Sequence, residues 1–168
     1  MTDLEQVLIN SYKAGMIEYV ESHPEDFDEL VKLSIEDKQP FSWRAAWLLW
    51  SCMTKNDQRV FHYIDSMIKT LPTKRDGHQR ELVKILSDME LNEDQEGQVF
   101  DICVSLWEKI GKKPSIRYTA FMEILKIAQK YPELANEISF LTQEHFTETL
   151  SPGVRKSINR MITDFKKS

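Results

Sequence analysis

The chain has 168 residues, 41% hydrophobic and 29% charged, the size of one domain with one core, 1–168. Five Gly and six Pro are too few for a turn-rich β-sandwich, a collagen-like chain or a low-complexity linker, so the composition leans helical. A net charge of −5 excludes a wholly basic nucleic-acid domain and makes the distribution of charge the informative quantity.

In chain order, the opening MTDLEQVLINSYKAGMIEYVE is acidic and never runs more than three apolar residues, so no secretory signal is expected. The longest apolar run, Ala45 to Trp50, is far short of the roughly 20 residues that span a bilayer. A soluble cytoplasmic protein with no membrane association is the expectation. Cys52 and Cys103 lie apart in apolar helical contexts, WLLWSCM and FDICVSLW, and are expected as reduced core residues.

Apolar residues return at helical spacing throughout, without sustained period-two alternation. Val60, Ile64, Ile68 and Leu71 form one stripe, Val99, Cys103, Leu106 and Ile110 another, and Ile116, Ala120, Ile124 and Ile127 a third. The breaks carry helix punctuation: His23-Pro24, Gln39-Pro40, Leu71-Pro72, Lys113-Pro114, Tyr131-Pro132 and Ser151-Pro152. Ser151 before Pro152 is an N-cap with Pro at the first helical position, where its missing N–H costs nothing. The pattern predicts nine helices, at 3–22, 25–36, 41–55, 57–71, 76–88, 94–110, 115–131, 133–148 and 152–166, and no strand.

Four of these helices repeat one another: SWRAAWLLW, HQRELVKIL, SIRYTAFMEIL and PGVRKSINRMI. Their arginines, Arg44, Arg80, Arg117 and Arg155, are spaced by 36, 37 and 38 residues. Two helices per unit of this period is the signature of an α-solenoid, in which no pair buries its apolar face alone. The pattern resembles the HEAT and armadillo-like repeat family, whose second helix starts with an apolar-Arg pair, as in Ile116-Arg117 and Val154-Arg155. The resemblance covers about residues 25–168. It implies an all-α, right-handed α-α superhelix of about nine helices, an N-terminal helix followed by about four pairs. Each repeat arginine is expected either to pair with a turn carboxylate or the preceding helix, Asp76 being well placed for Arg80, or to face a partner.

Catalytic signals are thin. His23, His62, His78 and His145 have no HExxH or HxH spacing, and GxGxxG, GxxxxGK[ST] and GxSxG are missing, so no metal, organic cofactor or catalytic residue is expected. His145 falls on the stripe of Leu134, Ile138 and Leu141 and is expected in the core. Trp43, Trp47 and Trp50 share one face of a helix whose other residues include Ala46, Leu48 and Leu49, so that helix is expected buried in mid-stack, with an exposed aromatic surface as the alternative.

Charge is segregated by helix type. The segments 41–55, 74–88, 112–131 and 151–168 carry +2, +1, +4 and +4, whereas 1–40, 56–73, 89–111 and 132–150 carry −7, 0, −5 and −4. In the HEAT-like family the second helices line the concave surface, so the resemblance implies a basic groove on an acidic body. Arg44, Arg80, Lys84, Arg117, Lys126, Arg155 and Arg160 are its candidate partner-binding residues. Lysines and arginines in the turns after helix C-termini would instead offset the macrodipole and form only a basic edge.

Two functional readings follow. One is a non-enzymatic interaction or scaffold module that holds an extended or acidic protein segment on its basic face. The alternative is nucleic-acid binding, with or without glycosylase activity, in the manner of the HEAT-like DNA alkylation repair proteins, which the sequence distantly resembles.

Overall fold

In the computed structural model, which describes residues 1–167, every regular element is helical and no strand occurs among the described residues. The helices gather into two compact units, divided after Leu91.

The first unit contains α1 (Asp3–Asn10), α2 (Lys13–Ser22), α3 (Phe27–Ile35), α4 (Phe41–Cys52), α5 (Gln58–Phe61), α6 (Ile64–Thr70) and α7 (Asp76–Ser87). Short 3-10 turns at Pro24–Asp26 and Leu71–Thr73 lead into α3 and α7. Helix α4 is the hub, packed against α1, α2, α3 and α7. Its Ala45, Ala46, Leu48 and Leu49 are fully buried, and the two alanines leave room for neighbouring backbones to approach.

The second unit contains α8 (Glu93–Glu108), α9 (Pro114–Ala128), α10 (Ala135–Leu141), α11 (Glu144–Thr147) and α12 (Pro152–Lys167), with a 3-10 turn at Pro132–Leu134. Here α9 is the hub, against α8, α10 and α12. Helix α8 starts with a full capping box: Asn92 Oδ1 accepts from Gln95 N at 2.8 Å, and Gln95 Oε1 accepts from Asn92 N at 3.0 Å. At α12 the expected cap forms, Ser151 Oγ accepting from Val154 N at 3.3 Å with Pro152 at the first helical position.

Among the described residues twelve α-helices replace the expected nine, because three of the predicted segments each break in two. Segment 3–22 breaks at Ser11 and Tyr12, both extended. A continuous helix would carry the Leu4–Leu8 core stripe onto Ser11, Tyr12 and Gly15, and the break instead leaves Tyr12 92% exposed and restores the stripe at Met16 and Val20. Segment 57–71 is interrupted at His62–Tyr63, where the Tyr63 hydroxyl donates to Asp28 Oδ1. Segment 133–148 breaks at Thr142–Gln143, Gln143 being extended. That break corrects the reading of His145: the helical phase that would have carried it inward is lost, so its ring is exposed and lies 3.8 Å from the Phe146 ring.

The buried histidine is His78, 2% exposed on α7. The Ser34 carbonyl, 2.7 Å away, can only accept, so Nε2 carries the proton, and Nδ1 accepts from the Gln39 amide at 3.2 Å. Both ring nitrogens are thus committed to holding α7 against α3 and the α3–α4 connection. Of the cysteines, Cys103 is buried as expected and Cys52 only half-buried; both are free thiols.

Burial holds the His78 pKa below its ordinary value of 6.5. Its contribution to stability is therefore complete above pH 6.5 and lost as pH falls from there toward the folded-state value, because the unfolded chain takes up the proton first. Melting temperatures measured from about pH 7 to pH 5 should fall more steeply for the native chain than for His78→Gln. Parallel curves would remove His78 as the source of the slope.

Candidate interaction surface

The repeat arginines divide by environment. Arg117 is 1% exposed, which withdraws it from the candidate partner-binding set. Its Nε donates to Trp107 O at 2.9 Å, in the last turn of α8, and its Nη2 donates to Phe146 O at 2.5 Å on α11. The guanidinium also lies 4.5 Å over the Trp107 ring, whose indole N–H donates to Leu141 O at 2.8 Å. A cation at carbonyls left over by helix C-termini satisfies groups that the helices cannot pair internally and offsets their dipoles. Arg44 does the same in the first unit: half-buried, it donates from Nη1 to Leu8 O at 2.7 Å, in the last turn of α1. Of the two expected kinds of structural partner, a turn carboxylate or the preceding helix, Arg117 takes the second at α8, and Arg44 takes a carbonyl of the earlier helix α1.

Arg80 and Lys84 occupy different ground. Arg80 Nη1 donates to Oε1 of the adjacent Glu81 at 3.1 Å. Lys84 Nζ lies 3.3 Å from Glu81 Oε2, an ion-pair contact without hydrogen-bond alignment, and 3.8 Å over the Trp50 ring. Glu81 is itself buried, so two cations compensate one desolvated carboxylate.

The tryptophans of α4 overturn the expectation of burial. Trp43 is 42% and Trp50 37% exposed, and Trp47 is half-buried, while Ser42, Ala45, Ala46, Leu48 and Leu49 take the core face. A helix apolar nearly all round hides which side is covered; the alanine side packs because small residues admit close neighbours, and the bulky indoles are left outside. Gly77 makes room for Trp43, since a Cβ there would stand 3.1 Å from the indole Nε1. Lys13, at the start of α2, places Nζ 5.5 Å from the Trp47 ring. Two of the three indoles on α4 therefore carry a cation, Lys13 at Trp47 and Lys84 at Trp50, and Arg80 lies one turn before Lys84 on α7. Lys13 carries no sequence signal for this position, because only the break at Ser11–Tyr12 brings it there.

In the second unit Lys126 and Arg160 are exposed and Arg155 is half-exposed. Among the described residues no group of three or more His, Cys, Asp or Glu is placed to hold a metal ion, and no helix is long and apolar enough to cross a membrane.

Arg117→Ala should destabilise the second unit by about 3 kcal/mol or more, since it orphans two buried carbonyls and opens a cavity beside Trp107. Arg155→Ala, at a partly exposed site, should stay within about 0.5 kcal/mol. Denaturant titration of both variants checks the contrast, and equal losses would contradict it.

No curated protein and no solved structure matches the chain significantly. The family described as HEAT repeat domain does match, over residues 2–165, in agreement with the all-helical fold and the hub helices α4 and α9. Taken with the four repeated helices, a match of this extent makes the chain a member of the HEAT repeat domain family, a helical repeat scaffold of the kind that mediates interactions.

Proposed function

We propose that this chain is a non-enzymatic interaction module that holds an extended, acidic segment of a partner protein against the exposed side of α4 and α7. The observation that carries the reading is the line of Trp43, Trp47 and Trp50, with Lys13 beside Trp47 and Lys84 over Trp50. Exposed indoles on a rigid helix supply large contact area at little cost in conformational entropy, and aromatic and arginine side chains dominate binding hot spots. The cations select for carboxylates and raise the association rate. In the second unit the half-exposed Arg155 and the exposed Arg160 are cations that the same class of partner would meet.

The exposed indoles also favour a second reading, since every nucleobase has a face that stacks on tryptophan. Charge weighs against it. Residues 1–91, which carry the tryptophan surface, hold the whole net charge of −5, whereas 92–168 sum to zero.

Fluorescence titration with a synthetic extended peptide of about ten residues alternating Glu and Phe, beside a single-stranded oligonucleotide of about ten nucleotides, separates the two. The peptide should bind with an affinity that falls as salt rises. Trp47→Ala and Lys13→Glu should each weaken it about tenfold or more, and Lys13→Glu, at an exposed site, should leave the melting temperature little changed. Binding of the oligonucleotide alone, lost in Trp47→Ala, would move the assignment to nucleic acid. Peptide binding unchanged in both variants would reject this surface.

A further inference from the structure

The second unit carries a groove that the reading above does not use. It is an open trough of about 420 Å³, walled on one side by α8 and on the other by the end of α9, Tyr131 and the start of α10. Its floor is apolar: Phe100 and Ile127 are buried, and Val104 and Leu134 half-buried. Its rim is acidic, with Glu93 and Asp101 on the α8 side and Glu133 and Glu137 opposite, all exposed. Among the described residues none of these four carboxylates forms a salt bridge. Glu96, one position from the groove, is the contrast: it is buried, and both oxygens are engaged, by Lys130 Nζ and by the Tyr131 hydroxyl at 2.6 Å each. That network engages Lys130 and fixes Tyr131 as a wall.

Gly97 keeps the trough open. It sits inside α8, where glycine is among the least favourable residues for helix stability, and a Cβ there would meet nothing within 4 Å. Glu93, Gly97, Phe100 and Val104 lie at i, i+4, i+7 and i+11, one stripe of α8 about three turns or 16 Å long. A trough of that length between helical walls is the shape of a helix-in-groove site, in which a partner helix sets apolar side chains at i, i+3 or i+4 and i+7 on the floor.

We propose that this groove is a docking site for a basic amphipathic helix of another protein, its apolar stripe on Phe100, Val104 and Leu134 and its lysines or arginines on the four rim carboxylates. The charge decides the occupant. An acidic helix would be repelled by every rim group, and a neutral apolar one would leave four carboxylates partly desolvated and unpaired. Nothing here depends on the tryptophan surface of the first unit.

The probe is a fluorescein-labelled synthetic helix of about 14 residues, with Leu at the apolar positions and Lys elsewhere, followed by fluorescence anisotropy; the same peptide with Glu for Lys is the control. The Lys peptide should bind, progressively more weakly as salt rises, and the Glu peptide should not. Gly97→Trp fills the trough where space is free, so it should melt no lower than the native chain yet lose about tenfold or more in affinity. Glu133→Lys with Glu137→Lys should lose a similar factor, and Trp47→Ala none. Equal binding to the native chain and Gly97→Trp would overturn the proposal by exposing a nonspecific charge effect, as would failure of the Lys peptide to bind. So would a native chain that self-associates in sedimentation while Gly97→Trp is monomeric and neither binds the peptide, for then the occupant is a second copy.

Discussion

One buried guanidinium organises the second unit. Helices that end inside a packed protein leave carbonyls without partners, and each such carbonyl costs on the order of 1 to 3 kcal/mol unless a donor reaches it. Arg117, projecting from α9, reaches the last turn of α8 and the α11 carbonyl of Phe146 at once. The Trp107 indole beneath it does the same for α10 through Leu141. The arginine and the tryptophan together therefore tie α8, α9, α10 and α11. This explains how short helices such as α11, one turn long and unstable alone, are held. Burial disfavours the charged form of Arg117, but a guanidinium stays protonated in proteins, so its hydrogen bonds to carbonyls stabilise the fold as charge-assisted ones.

The same device recurs in weaker form at Arg44, and the gradation separates structural arginines from available ones. Where the side chain reaches a helix end, as at Arg44 and Arg117, it belongs to the scaffold. Where it meets a carboxylate on its own helix, as at Arg80, it stays at the surface and keeps part of its fork exposed. Repetition in sequence thus marks a position in the helix pair without fixing a role. The role is set by whether a neighbouring helix ends within reach.

Much of the fold was legible because its signals are local. Proline at helix starts, the Ser151 cap and the recurrence of arginine every 36 to 38 residues each reflect a constraint contained within one turn or one repeat. The breaks at Ser11–Tyr12 and Thr142–Gln143 were not, since neither contains Gly or Pro, and both arise because a polar residue falls on the core stripe. That is a tertiary conflict, visible only once the stripe is known to be buried. The tryptophan surface was half-legible: spacing put Trp43, Trp47 and Trp50 on one face, but a helix apolar nearly all round does not say which face the neighbours cover. The acidic groove gave no signal at all. Its rim comes from α8 and from the α9–α10 connection, about 40 residues away, and only packing brings them together.

The division of labour between a buried Arg117–Trp107 core and an exposed α4 surface can be observed in one experiment. The four tryptophans give four indole N–H signals in a nitrogen-15 correlation spectrum, assignable by Trp→Phe substitution. Titration with the Glu/Phe peptide should shift the signals of Trp43, Trp47 and Trp50 and leave that of Trp107 in place. A shift confined to Trp107, or none at all, would contradict the account.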